Sequence, residues 1–216
     1  MLVTMSVDLV GTVHTPVPLD VLVDAAGKTL ARLLGMQAAP VIEVVTERKS
    51  ERGRPVHEGR RLLRQELGTL LIGERPTHSA GQRPHERDFD FRVAGGEDTV
   101  GLIVFDPCEV LDHQASNDQL EPVEAVFSPP RTCVGVVTAT ALALAAGSLG
   151  GGRFVDAEIS MLPRPESNPA RMVELTRLPD RGDDFVERCE RFMRQFARLN
   201  GWPRDVRLPP GPETAA

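Results

Sequence analysis

The aromatic side chains that dominate binding sites are nearly absent from this chain. Its 216 residues include no tyrosine, one tryptophan at position 202 and eight phenylalanines. Tyrosine and tryptophan are strongly enriched at binding hot spots, so their scarcity argues against a ligand site lined with aromatic rings. The 41% of hydrophobic residues is nevertheless ordinary for a globular protein with a core of its own.

Cysteines are also few. Cys108, Cys133 and Cys189 are widely spaced and form no CxxC pair. An odd number of isolated thiols argues against a disulfide framework. Cys133 and Cys189 fall in apolar helical patterns and are interpreted as core residues. We therefore predict a reduced, cytoplasmic protein.

Long apolar runs are missing as well. The longest, residues 134–146, is interrupted by Thr138 and Thr140. It is well short of the roughly 20 residues that cross a bilayer. No charged segment precedes an apolar one at the start of the chain, as it would in a signal peptide. We predict a soluble protein without a membrane-spanning segment.

The charge is acidic overall and uneven along the chain. A net charge of −6 disfavours nucleic-acid binding, which depends on neutralising phosphates. Residues 47–64 carry seven Lys or Arg against three Glu. This basic segment is interpreted either as a solvated loop or as a patch for an acidic partner. The candidate binding residues within it are Arg48, Arg60, Arg61 and Arg64.

Periodicity predicts alternating strands and helices. Strands are expected over 6–14, 40–46, 123–127 and 153–161, with a hairpin at 89–105 that turns at Gly95-Gly96. Helices are expected over 18–34, 132–146 and 183–199. Shorter elements are a helix at 62–67 and strands at 70–72 and 172–175, while 47–61 and 73–87 are interpreted as loops. The pattern predicts an α+β fold: a mixed or mostly antiparallel sheet with helices mainly on one face.

Residues 1–202 are expected to form one domain, followed by a disordered proline-rich tail at 203–216. VHTPVPLDVLV and VFSPPRTCVGVV each pass from a strand through Thr/Ser-Pro to a helix. Residues 1–72 and 88–202 are therefore candidate halves of a decayed duplication. The helix at 132–146 is apolar nearly all round, so we predict that it is the central packing element.

A glycine-rich stretch, AAGSLGGGRFVDAE at 145–158, resembles a phosphate loop only in composition. A phosphate loop runs strand, glycines, helix, because the helix N-terminus binds the anion. Here the order is helix, glycines, strand. We expect Gly147 to end the helix with a positive φ, so that Gly147→Val would destabilise the fold and would do little if Gly147 were helical. Asp156 and Glu158 are expected on the solvated face of the following strand.

Two loops contain side chains capable of chemistry. His78 and His85, ahead of Asp88 and Asp90, could bind a metal, but their spacing matches no metal motif. Cys108 and His113 could form a nucleophile and its base. Neither pattern is specific, and we predict no metal and no cofactor.

These observations favour a non-enzymatic protein-binding module of the immunity, inhibitor or adaptor kind, whose partner is another protein. One alternative is a small hydrolase or transferase that uses the His78/His85 loop or the Cys108/His113 pair. Another is a structural subunit of a larger assembly, in which apolar helix surface would form a homo-oligomeric or other interface.

Overall fold

A six-stranded antiparallel sheet with helices on one face is the framework of this chain. The computed structural model describes residues 7–46, 49–51, 54–57, 59–74, 89–106, 121–156 and 158–196. The strands are β1 (Leu9–Val13), β2 (Val17–Pro18), β3 (Ile42–Thr46), β4 (Lys49–Glu51), β5 (Arg54–His57), β6 (Leu71–Ile72), β7 (Phe89–Val93), β8 (Val100–Phe105), β9 (Val123–Ser128) and β10 (Gly151–Val155). The helices are α1 (Leu19–Leu34), α2 (Arg64–Leu67), α3 (Cys133–Leu149), α4 (Pro169–Thr176) and α5 (Phe185–Arg194).

The large sheet has the strand order β10-β1-β9-β8-β7-β3. All neighbouring strands in it are antiparallel. Alternate residues such as Leu9, Phe91 and Phe127 are buried against the helices. The predicted α+β class, with a mostly antiparallel sheet, is confirmed.

Two strand-helix-strand units join strands of like direction. In the first, α1 leads from β1 to β3, and three strands lie between these two. In the second, α3 leads from β9 to β10, and only β1 lies between them. The two units share a plan and differ in crossover length, and their origin by duplication stays a prediction.

Helix α3 lies at the centre of the core, as its composition predicts. Fourteen of its seventeen residues are buried, and none of the seventeen is charged. It packs on β1, β9 and β10 on one side and is covered by α1, α4 and α5 on the other. Thr132 begins the helix by accepting a hydrogen bond from the Gly135 amide at 3.0 Å.

The glycine cluster differs from its predicted role. Helix α3 continues through Gly147 to Leu149, and the positive φ of 68° belongs to Gly151. The prediction that Gly147 caps the helix is therefore wrong. A Cβ atom on Gly147 would lie 2.7 Å from the carbonyl oxygen of Arg153, closer than real contacts allow. Gly147 is needed for the close approach of α3 to β10.

The strand after the glycines is shorter than predicted because a side chain competes for its amides. The Asp156 carboxylate accepts hydrogen bonds from the amides of Ile159, Ser160 and Met161. These bonds fold the chain into a turn, so β10 ends at Val155. Ile159 and Met161 are buried beyond the strand, and Asp156 is a turn anchor instead of a residue on a solvated strand face.

Three further predictions need correction. Residues 169–176 form a helix instead of a strand, because Pro169 occupies its first turn and Asn168 caps it by accepting from the Arg171 amide. Within 47–61, the β4–β5 ladder replaces part of the expected loop. The last helix is capped by Asp184, one residue later than expected, and it ends at Arg194 instead of continuing to residue 199. The predicted tail at 203–216 lies outside the described residues, and among those described no helix is long and apolar enough to cross a membrane.

Gly147→Val is expected to lower the free energy of unfolding by about 1–3 kcal/mol, because the added side chain overpacks the contact between α3 and β10. The sequence alone predicted that Gly147→Val would have little effect if Gly147 were helical, but the close approach of α3 to β10 predicts a loss of stability. Urea denaturation would measure it. Exposed Ser148→Ala is the control and should stay within about 0.5 kcal/mol of the wild type. A Gly147→Val chain as stable as the wild type would contradict the close approach.

Candidate functional site

Three of the four arginines predicted to bind a partner lie in the part of the chain that the structure describes. Arg60 pairs with Glu66 at 2.5 Å, Arg61 pairs with Glu43 at 2.7 Å, and Arg64 pairs with Asp24. Hydrogen bonds from Arg60 and from the Leu63 amide lower the pKa of Glu66 to about 2. These guanidinium groups are engaged within the chain, and their contact with a partner stays a prediction. Arg48 lies outside the described residues.

The candidates for catalysis or metal binding, His78, His85, Cys108 and His113, also lie outside the described residues. Within the described ranges, no three His, Cys, Asp or Glu side chains come together as metal ligands would. Cys133 and Cys189 are buried in the core, as predicted.

The sheet face opposite the helices carries an unexpected apolar row. In a one-sided antiparallel sheet, the outward residues are normally polar. Here four aliphatic side chains stand side by side across β10, β1, β9 and β8: Val155, Val10, Val126 and Ile103. Val155 is 38% exposed, Ile103 is 48% exposed, and Phe105, two residues after Ile103, is 40% exposed. We call these five residues the open-face patch.

Carboxylates surround the open-face patch. Asp8 and Glu124 flank Val10 and Val126 along β1 and β9, and Asp90 lies beyond Gly101 on β7. Glu158 accepts a hydrogen bond from the Asp8 amide at 3.2 Å. Partial burial raises the pKa of Asp90. Arg153 is an exposed basic residue on β10, whereas the Arg92 guanidinium is paired with Glu43 at 3.1 Å. The surroundings of the patch are therefore mainly acidic.

A second surface feature is a cleft of about 510 Å³ beside the end of α1, which we call the arginine cleft. Arg32 reaches it from the last turn of α1, Arg177 follows α4, and Arg181 lies in the connection to α5. The Leu178 amide donates to the Leu33 carbonyl oxygen at 2.8 Å and fixes the connection to α1. The three arginines therefore line one cleft although they come from distant parts of the sequence.

Arg188 holds the walls of the arginine cleft together. This side chain is 2% exposed. Its Nε donates to the Leu34 carbonyl oxygen at 2.6 Å, and its Nη2 donates to the Asp180 carbonyl oxygen at 2.6 Å. Its Nη1 lies 3.1 Å from the Asp180 carboxylate. Gly35, with φ of 64°, leaves room for this contact, because a Cβ atom there would meet the Asp180 carbonyl oxygen at 2.3 Å.

The patch and the cleft were not predicted from the sequence. The consecutive apolar residues of VGLIVF in β8 are the signal for the patch, since they supply both faces of a strand. No local signal marks the cleft, because 145 positions separate Arg32 from Arg177. No protein-family model, curated protein or solved structure matches this chain.

Arg188→Met is expected to lower the free energy of unfolding by roughly 2–4 kcal/mol, because it leaves buried carbonyl oxygens without donors. Arg194→Met on the same helix is the control. Arg194 is paired with Glu190 at the surface, where an ion pair contributes less than about 1 kcal/mol. Thermal and urea unfolding would compare the two variants. Equal losses would show that Arg188 does not join α5 to α1.

The contribution of Asp180 to stability is expected to depend on pH. Its hydrogen bond from Arg188 holds its pKa below the ordinary 3.8. Because the pKa of Asp180 is lower in the folded chain than in the unfolded chain, its ionised form stabilises the fold at any pH above the pKa of the unfolded chain. This stabilisation is lost as the pH falls through the pKa of the folded chain. The difference in unfolding free energy between wild type and Asp180→Asn should therefore shrink below about pH 4. A difference that is constant from pH 7 to pH 3 would count against this ion pair.

Proposed function

We propose that this protein is a non-enzymatic protein-binding module that contacts its partner through the open-face patch. The observation that carries the proposal is the row of four aliphatic side chains in register on the solvent side of the sheet. Single exposed apolar residues are ordinary on protein surfaces, but contiguous ones mark interaction sites. The patch is contiguous across four strands.

The geometry suits binding better than catalysis. Val155, Ile103 and Phe105 of the patch are exposed, and Val10 and Val126 between them are half-buried. The inward residues behind the patch, such as Leu9 and Phe127, are fully buried. Backbone hydrogen bonds of four paired strands hold its side chains, so little conformational entropy is lost when a partner docks. No observation in the described residues favours the alternative of a hydrolase or transferase. A cytoplasmic location remains a prediction.

The chemistry of the patch specifies the partner. Asp8, Asp90, Glu124 and Glu158 surround an aliphatic centre, and the whole chain has a net charge of −6. A complementary partner is a different protein that presents an apolar surface ringed by Lys or Arg. Charge complementarity would raise the association rate and disfavour pairing between two copies of this acidic face.

A photo-crosslinking residue at position 103 tests this proposal in the native cells. The matched control is position 21, since Val21 is 43% exposed on α1 in the helical layer. We expect one heterologous adduct from position 103, with a basic contact surface on the captured protein, and none from position 21. Equal adducts from both positions, or none from position 103, would refute the proposal. An adduct between two copies of this chain would replace it with self-association, the structural-subunit alternative.

Ile103→Lys should raise the Kd for the protein captured at position 103 at least tenfold. The free energy of unfolding should change by less than about 0.5 kcal/mol, because Ile103 is exposed. Val21→Lys should leave binding unchanged. Titration calorimetry with the purified adduct partner would measure both. Unchanged binding by Ile103→Lys would exclude the patch as the contact surface.

A further inference from the structure

We propose that the arginine cleft binds a small organic phosphate that carries at least two negative charges. The cleft lies in the helical layer at the end of α1, whereas the open-face patch lies on the other side of the sheet. This site is therefore additional to the proposed protein-binding surface, and its support is independent of that surface.

The arginines of the cleft differ from most other described arginines in having no carboxylate partner. Arg60, Arg61, Arg64, Arg92, Arg171, Arg188, Arg191 and Arg194 each have a carboxylate partner. Among the described residues, no carboxylate lies within ion-pair distance of Arg32, Arg177 or Arg181. Arg153 and Arg164 are also without a carboxylate partner in the described ranges, but they do not line the cleft. Three unpaired positive charges that line one cleft favour the binding of an anion there. In an acidic chain, this concentration of uncompensated positive charge indicates a ligand site.

The Asp180 carboxylate and most of the carbonyl oxygens at the end of α1 already have partners within the chain. Arg188 and Arg191 both contact the Asp180 carboxylate, at 3.1 and 2.7 Å. The carbonyl oxygens at the end of α1 would otherwise oppose an anion. Most of them have donors: Ala31 accepts from the Gly35 and Met36 amides, Leu33 accepts from Leu178, and Leu34 accepts from Arg188. The field in the cleft is therefore set by the three arginines.

The side chains and the volume of the cleft indicate the class of ligand. Guanidinium groups are planar and match phosphate oxygens with paired hydrogen bonds. A volume of about 510 Å³ lies within the range of small-molecule sites and is larger than one inorganic phosphate needs. Ala31, Met36 and Gln37 supply an apolar and a neutral polar wall. None of the described residues that line the cleft is aromatic, so these residues offer a nucleobase no ring to stack on, and the phosphate groups would provide the affinity.

Calorimetric titration of the full chain with pyrophosphate tests this inference. We expect saturable one-to-one binding that weakens as the salt concentration rises, since the site is exposed. Arg177→Gln/Arg181→Gln should raise the Kd at least tenfold. The matched control is Arg164→Gln, an exposed arginine that does not line the cleft, and its Kd should stay within twofold of the wild type. All the substituted side chains are exposed, so unfolding midpoints should be unchanged and would exclude misfolding as the cause.

Three outcomes would overturn the inference. They are no binding of pyrophosphate by the wild type at millimolar concentration, equal weakening in the control, or an unchanged Kd in the double variant. Adenosine diphosphate and fructose bisphosphate are the comparison ligands, and both should bind at least as tightly as pyrophosphate. Inorganic phosphate should bind at least fivefold more weakly, because it brings less charge to the three arginines. None of these measurements uses the open-face patch, so they can fail while the proposed function stands.

Discussion

Enclosure of α3 is the constraint on which the rest of the structure depends. A helix of seventeen residues without charge and with fourteen buried positions has to be covered on every side. The sheet covers one side, and α1, α4 and α5 cover the other. Gly147 shows how tight this enclosure is, because even one added carbon atom would meet the backbone of β10. The hydrophobic effect thus fixes which sheet face carries helices.

That one-sided layering leaves the other sheet face exposed. Polar side chains would be enough to solvate it, yet β10, β1, β9 and β8 place aliphatic residues there in one row. Contiguous exposed apolar surface is typical of interaction sites, and we propose that a partner covers this row. Antiparallel register makes the row continuous, since directly paired residues share a face.

Arginine serves two purposes in this chain. Arg188 is buried and joins α5 to the end of α1 through backbone oxygens and Asp180. Its fixed position holds the connection that carries Arg177 and Arg181, so a structural arginine organises exposed ones. The basic segment first noticed in the sequence behaves differently: Arg60, Arg61 and Arg64 meet carboxylates of their own chain. Local charge density alone did not reveal which positive groups lack a partner.

The sequence by itself determined the fold class, the buried α3 and the hairpin around Gly95, because each depends on local periodicity or turn chemistry. It also determined that α1 ends at Leu34, where Gly35 follows with φ of 64°. The end of β10 is set by a local turn, in which the Asp156 carboxylate binds the amides that would continue the strand, and the strand periodicity did not indicate this turn. Only the tertiary structure decided the close contact of helical Gly147 with β10. Likewise, only strand register assembles the open-face patch, and only packing of α5 on α1 assembles the arginine cleft. Both surfaces join residues that are distant along the chain, and no local pattern encodes such distances.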